Sequence, residues 1–531
     1  MRRRIVIFLL AMLFSLPTIA VDSGLFDSAL ELLKGGDFDA KEKAIADLAE
    51  SGDPRTLGLL EALYGGDLWI KKDDQTLLIA ERDGREYKIR DALTGTDLGV
   101  VKKREIDKIK INNTLRDAIK SAIATINLSD PDPKARTQAV NRMLDNLDPD
   151  AVATLRKALA KESDPGVKEL MELAVALGDL KSDEKAMKLA AIEAVGNSLH
   201  PEARNRLRPL TEDADADVAK AAKKSLKQIE FRVDAYGQLE TVFFGLSLGS
   251  VLVLAAIGLA ITFGVMGVIN MAHGELIMLG AYTTYLIQQA MPSLPGVSLF
   301  LSLPAAFIVA GLVGIVIERS VIRFLYGRPL ETLLATFGIS LILQQLVRTV
   351  ISPQNVPVSN PEWMSGTWEI NAVLSLTYNR LYIFLFSLLV FAALYLVLKK
   401  TSLGLQVRAV SQNRAMARAM GVRSQWVDAM TFGLGSGVAG VAGVALSQLT
   451  NVGPNLGQSY IIDSFMVVVF GGVGNLWGTL VAGLSLGVAN KVLEPWAGAV
   501  LAKILVLVFI ILFIQKRPRG LFPQKGRAVE G

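Results

Sequence analysis

The chain has 531 residues, 51% hydrophobic and 20% charged, with 56 Lys and Arg against 51 Asp and Glu for a formal net charge of +5. It contains no cysteine, which excludes disulfides, thiolate nucleophiles and Cys-ligated zinc or iron–sulfur centres. With His200 and His273 as its two histidines, it is not expected to hold a histidine-based metal site either.

These totals average two unlike halves. From Tyr236 to Gly531 there are 18 basic and 10 acidic residues in a mostly apolar background, as in a membrane domain; between Val21 and Ala235 there are 35 basic and 41 acidic residues, as in a soluble one. The net positive charge therefore does not signal nucleic-acid binding.

Residues 1–20 read as a signal peptide: Arg2 to Arg4, the apolar run Ile5 to Leu16, and Thr18-Ile19-Ala20 as a small-residue cleavage site. Residues 21–235 would then be exported. From about Asp37 to Leu63 and from Asp130 to Ile229, helix-period segments alternate with Asp, Pro and Gly breaks, and starts at Asp130, Asp164 and Asp213, with Ser182 between, give a repeat of helix-pair length. The pattern resembles degenerate HEAT repeats. His200 fits a turn or helix start and is assigned no function. Alternating residues around Asp83-Gly84 predict a small β insertion near 69–101. This domain is either a scaffold packed on the membrane half or a docking surface for an exported partner.

The remainder predicts an all-α polytopic membrane domain with about eight to nine spans, some broken, preceded by the exported α-helical repeat domain with its small β insertion. The candidate spans are Val242 to Val265, Leu276 to Ala290, Leu299 to Ile317, Thr332 to Ile351, Leu381 to Leu398, Val427 to Leu449, Ile461 to Lys491 and Ala499 to Ile514. Three basic clusters, at Arg319 to Arg328, Lys399 to Arg423 and Lys516 to Arg527, hold 14 of the 18 basic residues and orient these loops to the cytoplasm. An exported repeat domain then requires an odd number of crossings, so Ile461 to Lys491 should cross twice.

Two apolar runs are interrupted by Gly and polar residues. VINMAHGE carries Asn270, His273, Gly274 and Glu275, and FGGVGNLWG carries Gly471, Gly472, Gly474, Asn475 and Gly478. A polar break is either a hydrated turn or, where unwound backbone lines a cavity, part of a central solute site; the second could equally be glycine packing. Asn270, His273, Glu275 and Asn475 are the candidate pathway residues, with Asp463 weaker because an acid at the start of a span can sit at the interface. The segment 401–423, TSLGLQVRAVSQNRAMARAMGVR, predicts a short amphipathic helix from about Gln412 to Met420.

That segment resembles the coupling loop of permease subunits of binding-protein-dependent ABC importers, which seats on a cytoplasmic ATPase. The matching positions are Arg408, Gln412, Asn413, Ala415, Ala417 and Gly421. Together with GLSLGSVLVLAAIGLAITFGVMGVINMAHGELIMLGAY and FGGVGNLWGTLVAG, it is similar to the branched-chain amino acid permease family from about Leu239 to Pro523, which implies a permease transmembrane domain over 239–518 and a cytoplasmic tail over 519–531. Within that family the wording SQNRAMARAMGVR, the GLSLGSVLVL opening and the exported domain look most like the first permease subunit of urea ABC transporters.

The resemblance implies a bacterial inner-membrane, multi-pass permease, its N-terminal domain periplasmic and its C-terminus cytoplasmic. It also implies a second permease as heterodimer partner, two cytoplasmic ATPase subunits and a periplasmic binding protein. No phosphate-binding Gly-x-x-x-x-Gly-Lys-Ser/Thr loop occurs, so no cofactor is expected in this chain and ATP acts through partner subunits. The competing readings are import of branched-chain amino acids or short amides, an ATP-independent urea-type channel, and a membrane-anchored scaffold. Enzymatic function is not expected, because no nucleophile–base or metal-ligand constellation is present.

Overall fold

A computed structural model describes residues 23–83, 86–145 and 147–522. The expected signal peptide, Gly84 of the hairpin and most of the tail lie outside the described residues. The chain divides into two compact units between Glu230 and Phe231.

The first unit opens with three helices, α1 (Ser23–Gly35), α2 (Phe38–Ser51) and α3 (Thr56–Gly65). A sheet follows, built from β1 (Leu68–Lys71), β2 (Leu77–Asp83), β3 (Glu86–Asp91), β4 (Asp97–Lys102) and β5 (Ile106–Lys108). All its pairings are antiparallel, in the order β4-β3-β2-β1-β5. Asp83 faces Glu86, so β2 and β3 form the expected hairpin. The insertion runs on past Val101 because β5 returns to pair with β1, Trp69 opposite Lys108. Trp69, Leu78, Ala80, Ile89 and Ile106 fill one apolar cluster of the sheet.

Six helices continue this unit: α4 (Asn113–Asn127), α5 (Pro133–Leu144), α6 (Pro149–Leu159), α7 (Pro165–Asp179), α8 (Lys185–Val195) and α9 (Pro201–Leu210). Their starts follow from local chemistry. Asp132, Asp148 and Asp164 each accept a hydrogen bond from a backbone N–H of the first turn, and the proline after each sits where no N–H is needed. His200 caps α9 through Nδ1, 3.3 Å from the Glu202 N–H, in keeping with a helix start. Two starts fall later than Asp130 and Asp213. In Asp-Pro-Asp-Pro the residue before each proline is held out of the helical region, so the cap is the second aspartate, Asp132. At the later site Asp215, not Asp213, receives the Asp217 N–H at 2.8 Å. Arg136 grips buried Glu162 with two hydrogen bonds of 2.7 and 2.8 Å and holds its carboxyl below the usual range.

A long helix, α10 (Ala216–Met266), carries the first apolar run. It is followed by α11 (His273–Ala290), α12 (Pro295–Ser320), α13 (Pro329–Val350), α14 (Tyr378–Lys400), α15 (Ser402–Gln412), α16 (Arg414–Ala419), α17 (Ser424–Ser447), α18 (Leu456–Gly471) and α19 (Leu476–Lys516). Among the described residues six helices are long and apolar enough to cross a membrane, and α18 is a shorter apolar one. The expected Ile461 to Lys491 span is indeed broken, α18 ending at Gly471 and α19 starting at Leu476; α19 kinks again at Gly498, whose φ is +77°.

The glycines of α17 allow backbone contact. A Cβ on Gly280 of α11 would fall on the Gly440 carbonyl, one on Gly443 on the Ile277 carbonyl, and one on Gly258 of α10 on the Gly435 carbonyl. Lipid tails give no hydrophobic drive for helix association, so such close approach supplies the dispersion contact that holds these helices together. The predicted short helix from about Gln412 to Met420 is α16, and a further helix, α15, precedes it. Asn413 leaves the helical region at φ −151° and caps α16, accepting the Met416 N–H at 2.9 Å.

Candidate functional site

The first break lies between Met266 and His273. Gly267, at φ +66°, turns the chain where a side chain would be strained, and the polar residues that follow are sealed from solvent: Asn270, His273 and Glu275 are at most 1% exposed. Asn270 folds its Oδ1 back onto the Ala272 N–H at 3.0 Å. His273 places Nε2 2.9 Å from the Ala255 carbonyl of α10. These three residues therefore occupy a dry interior and not a hydrated turn. Gly274 is helical and serves packing, since a Cβ there would meet the Gly457 carbonyl of α18.

Opposite them stands a feature that the sequence reading missed. Thr332, Thr336, Ser340 and Gln344 of α13 are all buried, at intervals of four residues along one face. Thr336 Oγ1 accepts the Met271 N–H at 3.1 Å and so satisfies the unwound backbone. Glu275 Oε1 accepts from Ser340 Oγ at 3.0 Å and from Gln344 Nε2 at 2.8 Å. The signal was present: polar residues every fourth position in an apolar helix share one face, and in a membrane that face must meet polar partners. The other face of α13 is apolar and exposed at Leu330, Leu334, Ile342 and Val350.

At the second break Gly472 and Gly474 take φ of +103° and +82°. Gly471 and Gly478, expected there too, are helical; a Cβ on either would strike the carbonyl of the other, so they bring α18 and α19 together. Asn475 is committed locally, its Oδ1 capping α19 at the Gly478 N–H (3.2 Å) and its Nδ2 donating to the Phe522 carbonyl (3.3 Å). Asp463 pairs with Lys503 of α19 at 3.1 Å. The two breaks meet, because a Cβ on Gly264 would land on Gly474 Cα.

Segment 401–423 packs beside them. Val407, Val410, buried Ala417 and Val427 form its core, Arg414 makes a two-pronged pair with buried Asp428 (2.6 and 3.0 Å), and Arg408 donates to the Leu398 carbonyl. Gly421, at φ +87°, turns the chain back toward α17. Gln412, Asn413, Ala415, Met416 and Met420 are exposed. A cavity of about 610 Å³ is lined by Gly264 before the first break, Gly474 and Leu476 at the second, and Gly404, Val407, Arg408 and Ser411 of the segment.

Residues 241–514 match the family model described as "Branched-chain amino acid transport system / permease component". The high-affinity branched-chain amino acid transport system permease protein LivH of Salmonella typhimurium is 30% identical over 292 residues, 53% of this chain and 94% of the relative. The corresponding protein BraD of Pseudomonas aeruginosa is 31% identical over 299 residues, 54% of this chain and 96% of the relative. A more distant similarity, 25% over 273 residues, reaches the ribose import permease protein RbsC of Escherichia coli, covering 50% of this chain and 80% of that one.

Proposed function

This chain belongs to the family of branched-chain amino acid transport permease components, and from that premise we propose that it is the membrane subunit of a binding-protein-dependent ABC importer for urea. The observation that carries the ABC reading is the shared cavity: segment 401–423, the end of α10 that leads into the first break, and the second break line one space, so a push on the segment reaches the backbone beside both interruptions.

In this reading the exposed face of Ala415, Met416 and Met420 seats on a cytoplasmic ATPase. ATP is hydrolysed by two partner subunits, a second permease completes a heterodimer, and an exported binding protein delivers solute. Residues 1–20 are a signal peptide, 21–235 are a periplasmic HEAT-like domain, and the C-terminus is cytoplasmic. The pathway runs past Asn270, His273 and Glu275. Asn475 and Asp463, already engaged by the Gly478 N–H and by Lys503, flank it.

Urea is favoured by the wording of the 401–423 segment, by the added N-terminal domain and by hydrogen-bonding groups suited to a neutral solute. Branched-chain amino acids are the second reading, favoured by the substrates in the relatives' names.

Reconstitution of the complete complex in vesicles tests both. ATP-dependent urea uptake is expected. Uptake of leucine without urea would replace the substrate, and urea flux without ATPase subunits would favour a channel.

A further inference from the structure

We propose that Ser340 and Gln344 are specificity-determining positioning residues: they fix the Glu275 carboxyl so that its second oxygen, Oε2, accepts N–H groups of a neutral amide-class solute. This rests on the permease reading above.

Both donors of α13 bond the same atom, Glu275 Oε1. Oε2 is buried and has no hydrogen-bond partner among the described residues, and Asn270 Nδ2 and His273 Nδ1, from the same short stretch, have none either. Buried polar atoms are nearly always partnered, because losing water without a replacement is costly. Glu275 Oε2, facing α13 beside the doubly bonded Oε1, is therefore an acceptor that a ligand would complete.

Its chemistry selects the ligand. A carboxyl oxygen held in place by two donors accepts N–H, and an amide NH2 donates to a carbonyl. A solute rich in N–H donors and without charge complements Glu275 Oε2. Among the described residues no cation pairs directly with Glu275, Arg348 of α13 acting on it only from beyond ion-pair distance, so the carboxylate of an amino acid would face the carboxyl group.

The test uses the complete reconstituted complex with Ser340→Ala, Gln344→Leu and the hydroxyl-retaining Ser340→Thr, reading KM and maximal rate for radiolabelled urea and for N,N′-dimethylurea, which has half the N–H groups. Losing one such positioning bond should raise the urea KM about five- to thirtyfold. It should narrow the preference for urea over its dimethyl analogue, with Ser340→Thr near wild type. Wild-type urea uptake with unchanged KM in both Ser340→Ala and Gln344→Leu overturns the inference and leaves the permease reading standing. A lowered maximal rate with KM and preference intact does the same, since it reports a structural role. ATP-dependent uptake of leucine but not urea overturns the amide class, and no ATP-dependent uptake by the wild-type complex overturns both readings.

Discussion

Replacing Arg414 by alanine should unlatch segment 401–423 while leaving the membrane helices in place. The Asp428 side chain is 1% exposed and its two oxygens take both prongs of the guanidinium at 2.6 and 3.0 Å. Removing one partner of a buried pair leaves an uncompensated charge at a cost of about 3–5 kcal/mol. Arg414 is itself 32% exposed, which lets water reach the gap and places the expected loss near the lower end, about 3 kcal/mol. Loss of its position over the Tyr326 ring, 5.2 Å away, adds to this. A local loss of that size raises the open population of the segment roughly hundredfold. Trypsin cleavage at exposed Arg418 and Arg423 in vesicles reads that population, and ATP-driven uptake reads its consequence. Cleavage should accelerate and uptake fall in Arg414→Ala. Adding Asp428→Asn removes the stranded charge and should recover much of the protection. Equal protease sensitivity in wild type and Arg414→Ala, or no recovery in the double variant, would refute the latch.

Ala415→Glu should abolish ATP-dependent uptake without altering protease sensitivity, because Ala415 is exposed; Ala417→Leu should raise sensitivity as well, because Ala417 is buried among Val407, Val410 and Val427. Gly280→Ala puts a methyl against the Gly440 carbonyl, and overpacking of about 1–3 kcal/mol should lower the melting temperature in detergent; an unchanged melt would mean that α11 and α17 part freely. The Arg136 hydrogen bonds lower the folded-state pKa of Glu162 below its ordinary 4.5, so their stabilisation is fully present above that value and is lost as pH falls through the lowered one. Glu162→Gln should therefore flatten the acid limb of stability, read by far-ultraviolet circular dichroism between about pH 3 and pH 6.

Local rules reached far along this chain. Asp-Pro pairs start helices because the carboxylate caps and proline needs no N–H, and long apolar runs become spans because lipid satisfies no backbone group. Gly472 and Gly474 break a helix where only glycine accepts the backbone without strain. The same reasoning located Asn270, His273 and Glu275 in an interrupted span. It missed α15, which ends where the Asn413 side chain caps the next helix. It failed again for Gly274, Gly471 and Gly478, which read as breaks yet serve helix contact.

What the sequence by itself determined is thus which runs are apolar and long enough to cross a membrane, and where most helices start and stop, because each depends on neighbours within a few residues. Which polar groups meet was decided by tertiary structure alone. Ser340 and Gln344 reach Glu275 across 65 and 69 residues, and Asn475 is tied to Phe522 across 47. No local pattern carries such pairings. A hydrogen bond acts over about 3 Å, and only the packing of α11 against α13 brings those donors and that acceptor within its reach.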